Sequence, residues 1–81
     1  MTYRQFKYLS ETDQELICWS KGVEIATKAD QIYQYKLYQV DGFYIEVQST
    51  ITFGIIRKIS SFDDIQLLES YLEQIKIDTN Y

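Results

Sequence analysis

The side chains able to do chemistry are few. Cys18 is the only thiol, Asp63 and Asp64 are adjacent carboxylates, and there is no His in the 81 residues. Lack of His removes the commonest general base and metal ligand, together with any Ser-His or Cys-His nucleophile. Cys18 sits beside Ile17 and Trp19 in an apolar helical stretch with no basic neighbour in reach, so it reads as a small core residue and not a reactive thiol. Asp63-Asp64 could bind a cation, but at the start of a helix they are better explained as charges opposing the helix dipole. Gly22, Gly42 and Gly54 lie too far apart for a phosphate-cradling loop. These features predict a protein that is not an enzyme and needs no cofactor or metal.

Charge narrows the partners. Residues 1–40 hold five basic and five acidic side chains, and residues 41–81 three basic against seven acidic, so the whole net charge of -4 falls in the C-terminal half. Nucleic acid and anionic membranes are bound through Lys and Arg, which this balance disfavours. The N-terminal residues mix charges with aromatics and contain neither a signal-peptide core nor a membrane span. With no second cysteine for a disulfide, a reducing, cytoplasmic setting is expected.

One surface stands out as a candidate site, and it depends on a hairpin. Lys36 to Val47 carries a dense run of aromatic and β-branched residues bent at Asp41-Gly42. Two turn lengths predict different partners. A two-residue turn pairs Val40 with Phe43 and sets Lys36 opposite Val47 on an apolar face, which buries a lysine. A three-residue loop, with Gly42 left-handed in a bulge, pairs Tyr38 with Tyr44, Lys36 with Glu46 and Gln34 with Gln48. It gathers Tyr35, Leu37, Phe43, Ile45 and Val47 on the opposite face. The second register sorts aromatics, charges and amides and is the expected one. It displays Gln34, Lys36, Tyr38, Tyr44, Glu46 and Gln48 together on the outer sheet face, a composition that suits a protein interface. The plainer alternative is that cross-strand tyrosines merely stabilise exposed sheet.

The surrounding elements follow in chain order. Phe6 and Leu9 belong to a short lead-in. Ser10 caps a helix from Glu11 to Lys21, with Leu16, Ile17 and Trp19 toward the core and Gly22 taking a left-handed stop. Val23 to Lys28 alternates as a strand with Val23 and Ile25 inward. After a polar turn at 28–31, a second strand runs from Ile32 to Val40, and the hairpin supplies the third. Ser49 to Thr52 turns the chain into a fourth strand holding Phe53, Ile55, Ile56 and Ile59. Ser60 or Ser61 then caps a last helix, where Ile65, Leu68, Leu72 and Ile75 form one stripe. The predicted fold is one α+β domain, 1–81, of order α-β-β-β-β-α. Its four-stranded antiparallel meander carries both helices on one face.

The order Lys21-Gly22 before a strand, Leu37-Tyr38-Gln39, Phe43-Tyr44-Ile45-Glu46-Val47, then Ile55 to Phe62 and Leu68 to Ile77 resembles a group of short uncharacterised bacterial proteins. The resemblance covers most of the chain from Phe6 and implies a small α+β domain with no catalytic residues to carry over. The expected function is a non-enzymatic protein-interaction module, binding a protein partner or forming a homodimer. The alternative is an inhibitor or immunity-type protein whose acidic last helix, with Asp63, Asp64, Glu69 and Glu73, engages a basic partner.

Overall fold

The computed structural model describes residues 1–63. Two helices, α1 (Tyr3–Lys7) and α2 (Glu11–Lys21), precede four strands, β1 (Val23–Ala29), β2 (Tyr33–Val40), β3 (Phe43–Thr50) and β4 (Ile56–Phe62). The strands form one antiparallel sheet in the order β1-β2-β3-β4, so the fold is α+β with a four-stranded meander. The expected C-terminal helix, with its stripe from Ile65 to Ile75 and its acids beyond Asp63, lies outside the described residues. Ser60 and Ser61 do not cap it, because both are within β4.

Local chemistry explains the helices. Thr2 accepts from the Gln5 backbone N–H while the Gln5 side chain accepts from the Thr2 N–H, a reciprocal cap that starts α1 where only a loose lead-in was expected. Ser10 caps α2 as predicted, its hydroxyl accepting from Asp13 N–H. Gly22 ends α2 without turning left-handed, at φ -80° and ψ 143°. Its glycine is demanded by space: a Cβ there would stand 2.5 Å from the Cys18 carbonyl oxygen and 3.2 Å from Tyr38 Cβ. The missing side chain lets the end of α2 lie against Tyr38 of β2.

The hairpin takes the two-residue turn. Val40 pairs with Phe43, Gln39 with Tyr44, Tyr38 with Ile45, Leu37 with Glu46, Lys36 with Val47, Tyr35 with Gln48 and Gln34 with Ser49. The expected pairs Tyr38–Tyr44, Lys36–Glu46 and Gln34–Gln48 do not form. Asp41 and not Gly42 holds the positive φ, 50°, a conformation that aspartate tolerates better than most residues.

Packing explains why this register wins. Phe6 of α1 and Cys18 of α2 are buried with Tyr38, Val40, Phe43, Ile45 and Val47, and Tyr3, Leu9, Ile17, Ile56 and Ile59 close the rim. The rings of Phe6 and Tyr3 lie 5.3 Å and 6.1 Å from Phe43. A three-residue loop would have taken Val40 out of the strand and away from this cluster. Lys36, the apparent objection, is only half-buried, and its long stem lets the ammonium reach water. The expected register also places the apolar side chains on one face, whereas Leu37 is fully buried on the other face among Ala26, Tyr35, Tyr44 and Phe62.

Other expectations shift with it. Val23 and Ile25 are exposed, because the β1–β2 pairing slips by a bulge between Glu24 and Ala26. Leu16 is exposed and Trp19 half-exposed, while Cys18 is the α2 side chain fully buried in the core. Phe53 and Ile55 fall in the turn before β4, which spans 51–55 and not 49–52.

Candidate interaction surface

The six side chains expected on one face are divided between two. Antiparallel partners share a face and neighbours along a strand alternate. Gln34, Lys36 and Tyr38 therefore go with Ile45 and Val47 on the helix-covered face, and Tyr44, Glu46 and Gln48 with Leu37 on the other. Tyr38, expected as the centre of an exposed patch, is a core residue at 8% exposure. The Trp19 ring meets it edge-on at 5.6 Å. Burial first, then neighbouring Cys18 and Glu24, pushes the Tyr38 hydroxyl above its ordinary pKa.

The second face has its own order. Lys28, Tyr35, Gln48 and Lys58 form one row across the sheet. Gln48 Nε2 donates to the Tyr35 hydroxyl at 3.1 Å, and Lys28 Nζ stands 5.3 Å over the Tyr35 ring. At the other end of this face Tyr44 stacks on Phe62 with centroids 5.7 Å apart. Here Tyr35, Gln48 and Tyr44 make contacts within the sheet.

Cys18 is inert. Burial first, then the Glu15 carboxylate, pushes its thiol up to about 11, so the thiolate is scarce at neutral pH. Among the described residues no group of three or more His, Cys, Asp or Glu could hold a metal ion, and no buried side-chain polar atom lacks a partner. No helix among them is long and apolar enough to cross a membrane.

One surface stands out that the sequence divides between the start of the second strand at Ile32, the Ser49 to Thr52 turn with Ile51, and the fourth strand with Phe53 and Ile55. It is the sheet end remote from Asp41-Gly42, where the β1–β2 and β3–β4 turns lie side by side. Ile32, Ile51, Phe53 and Ile55 are 63%, 48%, 79% and 54% exposed there. These four large apolar side chains are carried by two adjoining turns.

Hydrogen bonds close both turns of this tip. Asp30 Oδ1 accepts from the backbone N–H groups of Ile32 and Tyr33 at 2.8 Å and 2.7 Å, which closes the first turn. These two bonds are the main reason that the Asp30 carboxyl lies below its ordinary pKa. In the second turn Thr50 N–H donates to the Ile55 carbonyl, Thr50 Oγ1 accepts from Ile55 N–H, and Gly54 N–H donates to the Thr50 carbonyl. Gly54 has φ 67°, so glycine is needed at that point. Ile51 N–H donates to the Ile32 carbonyl at 3.0 Å and ties the two turns together. Thr50, Gly54 and Asp30 were the readable signals, but their meaning depends on which strands they join.

A scan of family models and searches of curated proteins and solved structures return no match to this chain.

Proposed function

We propose that this chain is a non-enzymatic protein-interaction module that works in a reducing, cytoplasmic setting and uses the apolar tip as its contact surface. The observation that carries the reading is the exposure of Ile32, Ile51, Phe53 and Ile55 on two turns bonded to each other. An apolar projection whose turns are closed by hydrogen bonds loses little conformational entropy on docking, which favours it as an anchor. Phe53 at its crest is the expected hot spot, since aromatic anchors dominate binding energy. The buried, unreactive Cys18 suits a compartment where thiols stay reduced.

The test is site-resolved photocrosslinking in cells that produce the chain, with the reactive amino acid at Phe53 or, as a control, at exposed Gln39. Discrete adducts are expected from position 53 alone, and they should vanish when Ile51 and Ile55 are changed to Ser. The same adducts from both positions, or none from 53, would remove the tip from consideration.

A further inference from the structure

We infer that Asp41-Gly42 is a site where the chain modifies its own backbone, converting the Asp41 peptide link to an isoaspartyl link. The site is at the end of the sheet opposite the apolar tip and does not depend on it.

The turn between Val40 and Phe43 has two residues, and φ is positive at Asp41, 50°, and not at Gly42. Positive φ at the first central residue alone defines a type II′ turn, whose first residue has a ψ of about -120°. That angle lies outside the regions that most residues occupy. By tetrahedral geometry at Cα it sets the Gly42 nitrogen on the same side as the Asp41 Cβ, so that N, C, Cα, Cβ and Cγ are able to close a flat ring. Gly42 has no side chain to shield its nitrogen, and a Cβ built there would meet nothing within 4 Å, so the turn is open on that side. The Asp41 side chain is 55% exposed, and water reaches it.

The reaction conserves atoms. The Gly42 nitrogen attacks Cγ of the protonated Asp41 carboxyl, the N–Cγ bond forms, and the amide proton leaves with the carboxyl hydroxyl as water, giving a succinimide. Water then adds back at one of its two carbonyl carbons. Opening at Cγ regenerates Asp41, and opening at the main-chain carbonyl carbon leaves the chain running through Cβ and Cγ. The second product has an extra main-chain carbon in the turn that sets Phe43 against Phe6 and Tyr3. A change at the surface therefore reaches the core.

The same turn carries a brake. The Met1 ammonium, donating to Asp41 Oδ2 at 2.9 Å, holds the carboxyl below its ordinary pKa, and Lys21 adds a smaller pull. Both keep it as the carboxylate, which resists attack. Asp13 and Asp30 serve as comparators within the chain: each precedes Gln, Asp13 has helical backbone, and Asp30 Oδ1 is occupied by two N–H groups.

Mass spectrometry of the full chain and of Asp41→Asn tests this. In Asp41→Asn no carboxylate has to be neutralised, and the same ring closure expels ammonia, which the mass records. The folded Asp41→Asn chain at neutral pH should lose ammonia about tenfold or more faster than the same chain in concentrated urea, where the turn no longer presets ψ. Adding Gly42→Ala should slow the loss about tenfold, since the methyl crowds the nitrogen and meets nothing else in the turn. In the wild-type chain, incubated in isotope-labelled water and mapped by peptide, isoaspartate and label should gather at position 41 ahead of Asp13 and Asp30.

Ammonia loss from folded Asp41→Asn that is equal to or slower than in urea would overturn the inference. So would wild-type isoaspartate no more abundant at position 41 than at Asp13 and Asp30.

Discussion

The two ends of this sheet are built from similar residues and have opposite fates. At the hairpin end Val40 and Phe43 flank a tight turn and are 1% exposed. At the other end Ile32, Ile51, Phe53 and Ile55 flank turns that are as well bonded, and they face solvent. Residue type does not separate the ends. The difference is coverage: α1 brings Phe6 and Tyr3 onto Phe43, and no described helix packs over the tip. Apolar residues near a turn are thus buried or exposed according to what the rest of the chain lays over them.

The largest test of this contrast exchanges a phenylalanine at each end. Phe43→Ala removes a ring wedged between two others and should cost about 3–5 kcal/mol in urea unfolding. Phe53→Ala should change stability by less than about 0.5 kcal/mol. Equal costs would mean that the tip belongs to the core and would break the comparison.

Next in size is Gly22→Ala. The added Cβ runs against the Cys18 carbonyl one turn earlier in α2, a backbone atom that cannot swing away, so the end of the helix must distort. A loss of about 1–3 kcal/mol is expected, read from the same unfolding curves. Association through the tip should be unchanged at concentrations where the variant is folded.

The smallest effect concerns the tip's own order. Asp30→Ala leaves the Ile32 and Tyr33 N–H groups without their side-chain acceptor and should lower the melting temperature slightly. The folded carboxyl has a pKa below its unfolded value of 3.8, so its contribution is present above that value and is lost as pH falls through the lower folded pKa. The melting-temperature gap between wild type and variant should be full at pH 7 and narrow below about pH 4. A gap that is constant from pH 7 to pH 2 would show that the charged carboxylate does not hold the turn.

Much of the architecture was legible. Ser10 before Glu11, and Lys21-Gly22 at the end, marked α2 correctly, and the β-branched and aromatic runs marked four strands joined by short turns. The candidate site was not legible. Cross-strand sorting favours one register at Asp41-Gly42, yet the decision lies with Phe6 and Cys18, which reward placing Val40 and Tyr38 inward. A slip of one residue reverses every side chain of a strand relative to its partner. The proposed face of Gln34, Lys36, Tyr38, Tyr44, Glu46 and Gln48 therefore came apart as a unit.

By itself the sequence determined α2, the four strands and their order, because capping, propensity and periodicity act within a few residues and need no distant partner. Only the tertiary structure decided which face each strand residue occupies and which apolar residues stay in water. Those depend on α1 reaching across to the hairpin, on the bulge that turns Ile25 outward, and on the bond from Ile51 to Ile32 that joins two turns into one tip. Each is a contact between residues far apart in the chain, where local pattern carries no information.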